Sequence, residues 1–290
     1  MHGFDLAQDA HPWTGDHDKW RVRHRAEPIV NSPPDAPRSR HRSATGNVIP
    51  LRKRETFCPE CPVLALCLPA HLAAEELGAF ARHIDSRRDL REGEVLFRAG
   101  DAFEALYAVH QGSVKTSILP EDGREQVAGY YMQGEIVGFD GIASGRHTCN
   151  SAALENSVVC AVPFASLEQL ARTMPLLQQC IYRMLAREVA RNHDIMLQFG
   201  IRDAQARLVA FLLDLARRCR RRGLSARDLT LRLSRAEMGS YLGLNLATVS
   251  RALSRLQDAG LMQVQGRHIK LLDPPSLKSL VAGESPRPQA

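Results

Sequence analysis

Between residues 93 and 162 the chain passes through short apolar runs, among them Val95 to Phe97, Ala105 to Val109, Val114 to Leu119, Val127 to Tyr131 and Val158 to Val162. Glycine or Asp-Gly marks many of the gaps, at Gly93, Gly100-Asp101, Gly112, Asp122-Gly123 and Gly134. Short strands at near-regular intervals with glycine turns predict an antiparallel β-roll or jelly roll. Ahead of them Leu72, Leu77, Phe80, Ala81 and Ile84 recur at helical spacing, so a short helix is expected to lead into the roll.

A long helix is predicted next, from about Met174 to Phe199. On it Tyr182, Leu185, Val189, Asn192, Met196 and Phe199 fall at alternating intervals of 3 and 4. That seam suits a two-stranded coiled coil, the alternative being that it packs onto the chain's own roll. Asn192 favours a homodimer, because one polar residue in such a seam often sets register and oligomer state. Leu185, Val189, Asn192 and Met196 are the expected dimerisation residues.

The C-terminal third carries a different signal. Ser234 followed by Glu237 is a capping box that opens a helix through Tyr241 and Leu242. Gly243 supplies a turn, and Asn245 caps a second helix on which Val249, Leu253 and Leu256 must face a core. The opposite face then presents Ala247, Arg251, Ser254 and Asp258, with Ser250 and Arg255 at its edges. In a helix-turn-helix, the N-terminal part of that face meets base edges in the major groove. Ala247, Thr248, Ser250 and Arg251 are therefore expected at DNA, with Arg251 able to bond guanine in bidentate fashion. Arg255, Arg235 and the Arg217 to Arg222 cluster are assigned to phosphates. Beyond Gly260, Leu261 to Val264 and Ile269 to Leu272 are expected as two strands of a wing around Gln265-Gly266-Arg267.

Charge agrees with that assignment. Residues 201–290 hold 14 Arg and 2 Lys against 7 acidic residues, a surplus of +9 in a chain whose net charge is +6. Concentrated positive charge is what phosphate binding with counterion release requires. The expected organisation is α+β: a disordered tail (1–54), a cysteine segment and β-roll sensor domain (55–172), a dimerisation helix (173–200) and a winged helix-turn-helix (201–290). No apolar run approaches the roughly 18 residues of a membrane span. The N-terminus lacks an apolar signal core, so a cytoplasmic location is expected.

Seven cysteines, an odd number without an export signal, argue for reduced thiols over a disulfide framework. Cys58, Cys61 and Cys67 stand as Cys-x-x-Cys-x5-Cys, and Cys160 lies far along the chain. Four thiolates suit a structural zinc site or an iron-sulfur cluster, and spacing alone leaves both open beside packed free cysteines. Cys180 and Cys219 sit among helical apolar residues as core candidates, while Cys149 is placed on a loop with no activating partner. A cupin-like metal enzyme would need several inward His and a carboxylate; the roll offers mainly His110 and His147, without matching spacing.

From Cys58 to the wing the chain is similar to the oxygen-responsive FNR branch of the CRP/FNR regulators. The resemblance rests on CPVLALC (61–67), LFRAGD (96–101), LYAVHQGSVK (106–115), GEIVGFDGIASGRH (134–147), ALENSVVCAVPF (153–164) and EMGSYLGLNLATVSRALSRLQDAGL (237–261). It implies a [4Fe-4S] cluster held by Cys58, Cys61, Cys67 and Cys160. It also implies dimerisation and binding of double-stranded DNA at a pseudo-palindromic operator under low oxygen, with RNA polymerase as a further partner. A regulator using zinc, haem or thiol redox instead is the alternative. The chain departs from the pattern at Ala247, where such sensors often carry Glu. Related rolls grip cyclic nucleotides through Arg-Ser or Arg-Thr, and here His147-Thr148 stands at that place, which disfavours a cyclic nucleotide ligand.

Overall fold

A computed structural model of the chain describes residues 58–83, 86–120, 123–201 and 203–283. The predicted tail 1–54 lies outside the described residues, as do Ile84 and Asp122.

The cysteine segment enters as two short 3-10 turns, Cys58–Glu60 and Leu64–Leu66, followed by helix α1 (Ala74–Ala81). Eight strands then build the roll: β1 (Ser86–Leu90), β2 (Val95–Phe97), β3 (Ala105–Gln111), β4 (Ser113–Ile118), β5 (Gln126–Met132), β6 (Ile136–Val137), β7 (Asn150–Ala153) and β8 (Ser157–Pro163). They form two four-stranded sheets, ordered β1-β8-β3-β6 and β2-β7-β4-β5, with antiparallel pairing throughout. Val109, Val137 and Val159 from the first sheet meet Val114, Tyr131 and Ala153 from the second, a dry interior built by alternate residues of each strand.

The five predicted strands are present. β1, β6 and β7 were not expected, since Ser-Arg-Arg-Asp-Leu carries no apolar alternation and β6 is two residues long. Helix α2 (Phe164–Thr173) leads into α3 (Pro175–Ile201), the predicted long helix.

Helix α4 (Ala204–Arg221) begins at Asp203, whose carboxylate accepts the Ala206 N–H at 2.7 Å, and forms the floor of the C-terminal unit. On it stand strand β9 (Asp228–Thr230), α5 (Arg235–Leu242), α6 (Leu246–Asp258), the hairpin β10 (Met262–Gln265) and β11 (His268–Leu271), and α7 (Pro274–Ala282). The predicted capping box is present, with Glu237 N–H bonded to Ser234 Oγ and Ser234 N–H to the Glu237 carboxylate. Gly243 closes α5 at φ 64°, a left-handed conformation that costs a β-carbon side chain and not glycine.

The C-terminal unit rests on the roll. Val127, Tyr130 and Leu154 of the roll share one apolar cluster with Leu208, Leu212, Leu215 and Tyr241. Polar contacts surround it: Lys115 pairs with Glu125 and Glu237 at 2.9 Å each, and Val127 N–H donates to Ser240 Oγ at 2.8 Å. Behind them Glu135 bonds both Arg218 and Arg222, while Arg218 also donates to the Tyr130 carbonyl at 2.8 Å. This corrects the assignment to phosphates for Arg218 and Arg222: Arg218 is 6% exposed, Arg222 is half-buried, and both meet a carboxylate of the roll. Arg217 remains exposed, paired with Asp214.

Candidate functional site

Strand β8 sits between β1 and β3, and Cys160 on it faces Arg87 on one side and Ala108 on the other. Directly opposed residues of antiparallel strands project from the same face. The face that carries Cys160 therefore also carries Arg87. The cysteine segment folds over that face: Cys58, Cys61, Cys67, Cys160, Arg87 and His110 line one small cavity with apolar walls that include Val63, Leu68 and Phe80. His110 arrives there at a shift of register between Val109 and Gln111, the sort of β-bulge that re-aims a side chain. Its Nδ1 lies 3.5 Å from Cys61 Sγ.

The segment is seated by close approach. Gly134, at φ 83°, lies under Leu66, and a β-carbon there would fall 2.6 Å from Leu66 Cβ. Successive backbone bonds, Cys61 N–H to Cys58 O at 3.0 Å and Cys67 N–H to Leu64 O at 3.0 Å, coil the chain, and its three cysteines line the cavity. Burial pushes the Cys58 thiol up to about 11 and the Cys67 thiol up to about 12, with the neighbouring cysteine sulfurs adding to the shift at both. Cys160 is raised for the same primary reason, opposed by Arg87. Among the described residues no three His, Cys, Asp or Glu side chains form a group that could hold a metal ion. The four thiols thus share a cavity without standing in ligating geometry.

The same apolar cluster that holds Cys58, Cys67 and Cys160 contains Leu177, Cys180 and Met184 from the start of α3. Farther along α3, Tyr182 is 60%, Val189 53% and Met196 68% exposed, with Asn192 exposed and Leu185 half-buried. Tyr182, Val189, Asn192 and Met196 therefore do not pack onto the chain's own roll, while Leu185 is partly covered.

Helix α6 carries most of the residues expected at DNA. Asn245 Oδ1 accepts the Thr248 N–H at 2.7 Å, and Val249, Ala252, Leu253 and Leu256 are buried. Ala247, Arg251 and Arg255 are exposed, Thr248, Ser250 and Arg235 half-buried. Arg251 donates to Thr248 Oγ1 at 3.3 Å, and Arg235 to Ser250 Oγ at 3.4 Å, which ties the two helices together across the turn. The docked arrangement of the C-terminal unit leaves this face open.

His147 is 3% exposed and stacked on Phe97 with ring centroids 3.6 Å apart. Asp140 accepts from the Thr148 N–H at 2.7 Å and the Cys149 N–H at 3.3 Å, so the chain's own carboxylate occupies these donors. Cys149 lies on a loop as expected but is buried, and burial followed by Asp140 pushes its thiol up to about 12. Cys180 and Cys219 are buried, as expected of core residues. Sequence reasoning missed Arg87, Leu66 and Gly134, because a cavity-facing arginine on an unpredicted strand leaves no periodic signal.

Residues 87–174 match the family described as cyclic nucleotide-binding domain, and residues 206–280 the Crp-like helix-turn-helix domain. The chain is 37% identical over 223 residues to the fumarate and nitrate reduction regulatory protein of Salmonella typhimurium, covering 77% of this chain and 89% of that protein. It is also 37% identical over 228 residues to electron transport regulator A of Shewanella oneidensis, covering 79% and 91%. Among solved structures FixK2 from Bradyrhizobium japonicum is similar at a TM-score of 0.62 and 32% identity, covering 67% of this chain and 96% of that one. These relatives set aside the cupin-like enzyme. The chain belongs to the CRP/FNR family of DNA-binding transcription regulators.

Proposed function

We propose that this regulator senses oxygen through a [4Fe-4S] cluster held by Cys58, Cys61, Cys67 and Cys160, and that the cluster controls dimerisation and operator binding. The observation that carries the reading is the convergence of Cys58, Cys61 and Cys67 with the sequence-distant Cys160 on one cavity, three of these cysteines belonging to an apolar cluster that also holds Leu177 and Cys180 at the root of α3. The donor set fits the group: four sulfurs are available, and Arg87 brings a cation and a buried N–H. When bound, such a cluster supplies an iron-sulfur body that oxygen can dismantle.

The remaining steps belong to the chain. Cys58 and Cys67 must give up protons that burial holds firmly, so loading is coupled to proton release. Drawing the three N-terminal sulfurs toward Cys160 tightens the 58–67 segment against Leu68, Leu177 and Cys180, which repacks the first turns of α3. Close-packed interiors transmit such shifts because they deform little. The exposed Val189 and Met196 then find their partner on a second copy. Dimerisation sets two α6 helices about 34 Å apart, one DNA turn, on a pseudo-palindromic site. Arg251 reads base edges, while Arg235 and Arg255 contact phosphates. The Salmonella relative is named for fumarate and nitrate reduction, and regulating the use of electron acceptors other than molecular oxygen suits an oxygen sensor.

Protein isolated without air should be straw-brown, contain iron and acid-labile sulfide, and bleach in air. Cys160→Ala protein should lack iron and sediment as monomer. A colourless, iron-free wild type, or an iron-free Cys160→Ala dimer that binds operator, overturns the proposal.

A further inference from the structure

One guanidinium in the thiol cavity is incompletely partnered among the described residues. Arg87 lies on β1 directly across from Cys160, projects from the same sheet face, and lines the cavity beside all four cysteines. Its charge opposes the rise of the Cys160 thiol, and among the described residues its buried Nε–H has no hydrogen-bond partner. A buried unsatisfied donor is destabilising, and more so when charged. Burying such a group beside four neutral thiols gains little in return. The balance reverses once the thiols become thiolates, since a low-dielectric pocket with concentrated negative charge is where a cation and its N–H donors are most stabilising.

We propose that Arg87 is the charge-compensating donor of the iron-sulfur site, its Nε–H reserved for a sulfur of the loaded state, with His110 as a second donor to Cys61. The inference rests on the cluster reading above. Net charge and hydrogen bonds to the sulfurs are among the levers that set the potential of iron-sulfur centres, so Arg87 holds the bound group at a higher potential. His110 adds to this from the opposite wall, with Nδ1 3.5 Å from Cys61 Sγ. The arrangement is local to this cavity: β1 supplies the arginine by strand register, and the bulge at 110 supplies the imidazole.

Arg87→Gln removes the charge, and Arg87→Lys keeps it without the fixed planar fork. Full-length wild type and both variants would be prepared without air, and iron retention measured against a chelator along with the reduction potential of the bound group. Arg87→Gln should lose iron about 10–100-fold more readily, the range for outer-sphere partners of metal ligands, and show a lower potential. Arg87→Lys should recover part of both. Thermal unfolding of the metal-free forms separates this from a structural role: Arg87→Gln should match or exceed wild type, because its orphaned charge is gone. Equal iron retention and equal potential in all three proteins overturn the inference while leaving the cluster reading intact. A wild type that never contains iron or sulfide overturns the cluster reading itself. An Arg87→Gln protein whose metal-free form is destabilised and whose potential is unchanged assigns Arg87 to folding and overturns the inference.

Discussion

Glu135 clamps the DNA-binding unit to the roll, and Glu135→Gln tests how much that clamp contributes. Burial alone would raise the carboxyl, yet the charges of Arg218 and Arg222 outweigh it and hold the group at about 2 against an ordinary 4.5. The difference of roughly 2.5 units, at about 1.36 kcal/mol each, corresponds to roughly 3 kcal/mol of stability at neutral pH. Because the folded value is depressed, that stability is fully present above pH 4.5 and is lost as pH falls toward 2. Glutamine preserves shape while leaving Arg218 with only Asp214, 3.6 Å away, as a carboxylate partner. Breaking one side of a buried ion pair costs about 3–5 kcal/mol, in line with the figure from linkage. At about 2–4 °C per kcal/mol for a domain of this size, Tm should drop by roughly 6–12 °C at pH 7. Calorimetry of wild type and variant from pH 7 to pH 2.5 supplies the check. Every other carboxylate is common to both proteins, so the gap between the two curves isolates Glu135. It should shrink as pH falls below 4.5. A gap that keeps its full size to pH 2.5, or no gap at pH 7, refutes the reasoning.

Two further outcomes follow from the exposed faces. Val189→Asp places a carboxylate on the open seam of α3. The monomer's stability should change by no more than about 0.5 kcal/mol. A dimer would bury two like charges, so anaerobic sedimentation of the loaded protein should show monomer; wild-type dimerisation in the variant would exclude this face as the interface. Arg251→Ala should weaken operator binding by about 1–3 kcal/mol and relax the preference at one base pair. Arg235→Ala should instead weaken all sequences alike and lower the salt slope by about 1. Equal losses on specific and unrelated DNA for Arg251→Ala would remove it from base reading.

The helix-turn-helix was legible because its signals are local. A capping box, a left-handed glycine and a capping asparagine act within a few residues of themselves, and Ser234, Gly243 and Asn245 adopt those roles. The long helix was legible for the same reason, and Tyr182, Val189 and Met196 on it are exposed. Arg218 and Arg222 misled: a run of arginines looks like a phosphate surface, and nothing near them in sequence announces that Glu135, over 80 residues upstream, will meet them.

The amino-acid order by itself determined five of the eight strands of the roll, the long helix α3 and the two helices of the helix-turn-helix, since each follows from periodicity or capping within one stretch of chain. Only the tertiary structure decided that Cys160 lies between Arg87 and Ala108, that a bulge turns His110 onto Cys61, and that Leu66 settles on Gly134. Strand register and loop seating are fixed by contacts between distant segments, and a local pattern carries no record of which strand will become its neighbour.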